Sequence, residues 1–69
     1  MATVTFVKVE TEEAGRSVAM FVNGTMTDFL IHTLHNVYTV KKYANGSWSV
    51  VETTNTLAKA KAIAKRQIM

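Results

Sequence analysis

At 69 residues, with 48% hydrophobic side chains, no proline and no cysteine, the chain has room for one domain with one thin core. The lack of cysteine excludes disulfides, thiolate metal sites and cysteine nucleophiles, and the hydrophobic content excludes a disordered chain. The net charge of +3 is unevenly spread: residues 1–35 carry two basic and four acidic side chains, whereas residues 36–69 carry six basic side chains and Glu52 alone, an asymmetry that bears on partners rather than on fold.

Residues 3–9 are rich in Val, Thr and Phe, which suit a pleated surface, and read as a first strand. Residues 10–15 are polar, end in glycine and read as a turn. Residues 17–22 form a second strand, and Asn23-Gly24 after it is a strong hairpin signal. Residues 26–34 read in two ways. A helix would be capped by Thr27, with Leu30 and Leu34 stacked four apart; a strand would run back from the Asn-Gly turn. That turn demands a partner, so a strand is expected.

Residues 37–43 and 47–53 form the clearest pair. A two-residue Asn45-Gly46 turn would set Tyr43 opposite Trp48 and place Lys41 beside Val50. A three-residue loop, Ala44-Asn45-Gly46 with a left-handed Gly46 in a bulge, would set Lys42 opposite Trp48 and Val40 opposite Val50. The second gathers Tyr38, Val40, Trp48 and Val50 on one face, with the Lys42 stem over the indole. The bulged loop is the expected one, and it makes Trp48 a core residue. Thr54-Asn55-Thr56 then supplies capping oxygens for a helix over residues 57–68. Leu57, Ala60, Ile63, Ala64 and Ile68 share the face expected to dock on the sheet. The fold class is therefore α+β: an antiparallel β-meander of four to five strands packed against one C-terminal α-helix, in a single domain.

The string from Tyr38 through Val40, Asn45-Gly46-Ser47-Trp48 and Val50, followed by Thr56-Leu57-Ala58-Lys59-Ala60-Lys61-Ala62, resembles short phage and prophage proteins. In these a "dG-W-V" hairpin leads into a "TL-x-EA-K-x-A" helix. The resemblance covers residues 38–66, and Lys59 stands where the pattern has glutamate. It implies a small accessory protein that binds a host protein or nucleoprotein complex handling nucleic acid, as inhibitors of the anti-CRISPR kind do, rather than a catalyst. The opening Met1-Ala-Thr-Val-Thr-Phe6 is similar to that of small archaeal SH3-like chromatin proteins, which are lysine-rich five-stranded barrels with a C-terminal helix. That likeness ends after six residues.

Nothing at the N-terminus resembles a signal peptide, and no stretch reaches the roughly 18 apolar residues of a membrane span. A cytoplasmic protein without membrane contact is expected, and the sequons at Asn23 and Asn45 read as turns. Asp28, His32 and His35 would share a face only if residues 26–34 were helical, so ordinary surface histidines are expected and neither metal nor cofactor is implied. No nucleophile elbow, phosphate loop or paired carboxylates occur, and catalysis has no residues to rest on.

The candidate partner-binding residues are Lys41, Lys42, Tyr43, Lys59, Lys61, Ala62, Lys65 and Arg66. Lys65 and Arg66 complement the dipole of the last helical turn. Lys59 and Lys61 fall in the first half of the helix, where that explanation fails. A basic rim around Ala58 and Ala62 would suit an acidic protein surface or a phosphate backbone. Direct, sequence-independent nucleic-acid binding through the basic residues is the alternative, and so small a core is also compatible with a homodimer.

Overall fold

A computed structural model of the chain describes residues 3–10 and 14–68. Five strands, β1 (Val4–Val9), β2 (Arg16–Val22), β3 (Thr25–Leu34), β4 (Val37–Ala44) and β5 (Ser47–Thr54), precede one helix, α1 (Leu57–Arg66). The strands form one antiparallel sheet in the order of the chain. It is open, with β1 and β5 at its two edges, and not the closed barrel of the chromatin proteins.

Three of the four hairpin connections use the same device. Asn23-Gly24, His35-Asn36 and Asn45-Gly46 are two-residue turns with positive φ at both positions, between +52° and +81°. This is the I′ geometry, whose twist matches that of the strands it joins. Asn, Gly and His are among the residues that enter this region at least cost. Asn23 also holds the start of β1, accepting a hydrogen bond from the Thr3 amide at 2.9 Å and donating its own amide to the Thr3 carbonyl at 2.8 Å. The Asn23-Gly24 turn needs a returning strand, and residues 26–34 provide it within β3 rather than as a helix.

The last hairpin departs from the expected register. The turn is Asn45-Gly46 alone, so Ala44 faces Ser47, Tyr43 faces Trp48 and Lys41 faces Val50. Both turn residues hold positive φ without help, and a third loop residue is unnecessary. The extra residue sits in the strand instead: Val51 is bulged between Val50, opposite Lys41, and Glu52, opposite Val40. Trp48 is consequently not a core residue, and the Lys42 ammonium lies 5.8 Å from the centre of the Phe29 ring rather than over the indole.

Strand alternation and this register sort the side chains by face. One face presents Lys8, Val18, Ile31, Val40 and Glu52 in a single transverse row, with Phe6 beside Met20 and Phe29 beside Lys42. Met20, Phe29, Ile31 and Val40 are buried there against Ala60, Ile63 and Ala64 of α1, with Val4, Phe6, Val18 and Tyr38 packed around them. The alanines let the helix axis approach the sheet closely. Leu57 and Ile68, expected on the docking face, are more than a third exposed: the helix ends at Arg66 instead of running to residue 68, so Ile68 lies past the Gln67 cap, and the buried residues Ala60, Ile63 and Ala64 lie after the first turn. Between Ala19 and Phe21 the β2–β3 register shifts; there the Thr27 hydroxyl donates to the Met20 carbonyl at 2.8 Å and accepts from the Phe29 amide at 3.3 Å.

Thr56 caps α1, its hydroxyl accepting from the Lys59 amide at 3.2 Å, and Gln67 closes the other end. The helix is thus well formed locally, but its burial rests on three side chains. Truncation before Thr54 is expected to abolish the cooperative thermal transition, and Ile63→Ala to cost about 2–5 kcal/mol in denaturant unfolding. Gly46→Ala, which places a Cβ on a left-handed residue with open space around it, is expected to cost about 1–2 kcal/mol from backbone strain alone.

Candidate functional site

The eight sequence-derived candidates do not form one surface. Lys41 and Tyr43 alternate onto the face of the sheet opposite the helix, whereas Lys42 points to the helix side. Lys59, Ala62, Lys65 and Arg66 are exposed on α1, and Lys61 is half-buried. Two of the cations have structural work: the Lys61 ammonium sits 5.3 Å from the centre of the Phe6 ring on β1, and Lys42 lies over Phe29. Each ammonium is held by the ring quadrupole at the border of the core.

Lys65 follows Lys61 by one turn on the same flank of α1, and Lys59 and Arg66 share the other. Of the eight Lys and Arg residues, Lys41 alone belongs to the face away from the helix. Among the described residues, no ion pair engages Lys8, Arg16, Lys42, Lys59, Lys61, Lys65 or Arg66. A cleft of about 250 Å³ opens at one end of this side, where Lys8, Arg16, Thr33 and Tyr38 surround Leu57 in the first turn of α1. The helix layer is therefore a basic, polar surface.

The opposite face has another character. Val7, Ala19, Leu30, Lys41 and Val50 cross it in one row from β1 to β5; Val9, Ser17, His32, Thr39 and Thr53 make a second. Phe21 and Met26 pair at one end, and Tyr43 and Trp48 pair beside them with ring centres 5.2 Å apart at 62°. Met26, Tyr43, Trp48, Val50 and Val7 remain 54%, 43%, 46%, 61% and 47% exposed. No described element packs on them. Sequence reasoning placed Trp48 and Val50 in the core, and it did not single out Val7 or Met26. The signal that would have found them is the Asn-Gly dipeptide itself, which favours the two-residue turn and hence the observed register.

His32 is buried on this second face, its Nδ1 3.1 Å from the Ser17 hydroxyl. With residues 26–34 in a strand, His35 lies in the turn, and Asp28, His32 and His35 do not converge. Among the described residues no three His, Asp or Glu side chains are placed to hold a metal ion, and no helix is long and apolar enough to cross a membrane. No known protein family, no curated protein sequence and no solved structure matches this chain.

The two kinds of lysine are separable by stability. Lys61→Ala is expected to lower it by about 0.5–1 kcal/mol through lost packing on Phe6. Lys59→Ala is expected to change it by no more than about 0.5 kcal/mol, as an unpaired surface charge should; chemical denaturation of both variants makes the comparison.

Proposed function

We propose that the protein is a non-enzymatic interaction module that docks its basic helix layer on an acidic surface of a protein or nucleoprotein complex, as a phage-type inhibitor of nucleic-acid machinery would. The observation that carries this reading is the gathering of unpaired cations on the helix side, with Lys59, Lys65 and Arg66 fully displayed around Ala62. Lys65 and Arg66 satisfy the helix dipole, but no acidic residue occupies the first turn and Lys59 stands there instead. A positive charge at the positive end of the helix opposes helix stability. Binding gives it a purpose that folding does not.

A protein surface is favoured over a bare phosphate backbone by geometry. The cations divide between two flanks of α1, with an alanine ridge between them, so they frame a contact instead of following a strand. The uncovered sheet face, where aromatic side chains could stack on bases, carries a single lysine, whereas single-strand-binding surfaces combine aromatics with a positive groove.

Charge reversal at Lys59 and Arg66 is expected to slow association with the cognate partner at least tenfold at low salt, as removal of steering charges does, and to leave the melting temperature nearly unchanged. Random-sequence DNA and RNA are expected to bind only weakly at physiological salt. Submicromolar binding to either, falling with log salt at about −0.7 to −0.9 per phosphate contact, would replace this reading with direct nucleic-acid binding.

A further inference from the structure

The helix covers one face of the sheet, and the other face holds the largest exposed apolar side chains of the molecule. A two-layer domain normally buries both the helix stripe and the sheet face it contacts, while an exposed sheet face of an antiparallel sheet is normally polar. Here the row from β1 to β5 reads Val7, Ala19, Leu30, Lys41 and Val50, with Ala19 and Leu30 buried at its centre and Val7 and Val50 exposed at its ends. Phe21, Met26, Tyr43 and Trp48 extend it toward the hairpin ends. The exposed group of Met26, Tyr43, Trp48 and Val50, with Val7 on the far edge, marks an interface.

We infer that this face is the interface of a homodimer, in which two copies stack sheet on sheet as a sandwich with their helices outward. Three observations select a second copy as the occupant. The first is size. The molecule measures 34 × 27 × 19 Å; the short dimension fits one sheet and one helix layer, and the rectangle of the long two, roughly 900 Å², is an upper limit for the free face that reaches the about 800 Å² per partner of a standard stable interface.

The second is charge. The free face carries Lys41 and, by alternation, Asp28, so it is electrically balanced while the helix side holds the other seven basic residues. Lys41 is moreover already engaged within the chain. Two copies can therefore meet on this face without the repulsion that a chain of net charge +3 would impose elsewhere. A strongly acidic or strongly basic partner has nothing to pair with there.

The third is the state of one edge. The Val51 bulge interrupts β5, and bulges blunt an edge against strand addition, so at the β5 side, where Tyr43, Trp48 and Val50 are exposed, face contact is favoured over strand pairing. Face-to-face stacking is isologous: the same patch meets itself about a two-fold axis. In such a dimer, the two helix layers point away from each other. The inference is independent of the proposed function, since the two surfaces lie on opposite sides of the sheet.

Sedimentation and light scattering on the full chain test it. The expected mass is twice 7.7 kDa, with dissociation on dilution through the micromolar range and a red shift of Trp48 emission as the indole becomes wet. Trp48→Glu and Val50→Lys are expected to give monomers that keep the native far-UV circular dichroism. Arg66→Glu, on the helix side, is expected to leave the dimer intact. A chain that stays monomeric up to roughly 0.5 mM, far above the weakest affinity an interface of this size shows, would overturn the inference. So would a dimer that survives both face substitutions or is broken only by Arg66→Glu.

Discussion

Everything in this domain depends on three pairs of adjacent residues held at positive φ. A two-residue I′ turn sets the register where the strands leave it: the residues flanking it face each other, and alternation then assigns the side chains outward until a bulge intervenes. Because β2–β3, β3–β4 and β4–β5 are all joined this way, the assignment propagates across the sheet. It puts Ile31 beside Val40 on the helix side and Leu30 beside Lys41 on the other. A one-residue change at Asn45-Gly46 would exchange Trp48 with Ser49 between the two faces. The turn residues therefore decide the pairing next to each turn, and the register shifts at Ala19/Phe21 and at Val51 decide how it continues along the strands.

The helix has then only one place to go. Its apolar stripe is narrow, with Ala60, Ile63 and Ala64 buried, so it fits the side on which Met20, Ile31 and Val40 are brought together. Lys42 and Lys61 complete that layer by laying their stems over Phe29 and Phe6. This is an economical use of cations in a small protein, since each charge is attracted to the ring it covers. It also separates the basic residues of this layer into those placed over aromatic rings, Lys42 and Lys61, and those exposed on α1, Lys59, Lys65 and Arg66.

The separation gives the molecule two unlike sides. One is basic and helical. The other is nearly neutral and carries exposed apolar side chains, with Tyr43 and Trp48 in edge contact at one end. A 69-residue chain without disulfides has a modest apolar core, and covering the second sheet face would add a core of comparable extent. The display of basic residues and the burial of the sheet face are compatible, because each uses a different side of the sheet.

The strand order, the helix and its cap were legible in the chain itself. Residues 26–34 could be read as a strand because the preceding Asn23-Gly24 turn is a local chemical signal that only a returning strand satisfies. Thr56, three residues before Lys59, announced the start of α1, and the alanine-rich stripe announced its docking side. The identity of the exposed surface was not legible in the same way. Apolar residues 48, 50 and 51 allow Trp48 and Val50 to face either side, and the choice turned on where one extra residue was accommodated: in the loop or at Val51. That is settled by the sheet as a whole, where the right-handed twist favours the tight turn and the neighbouring β3–β4 register fixes Val40 toward the helix. Local chemistry determines which elements form, because turns and caps are satisfied by near neighbours. The allocation of side chains to the covered or the open face belongs to the tertiary structure, because period-two alternation carries a single bulge through an entire strand.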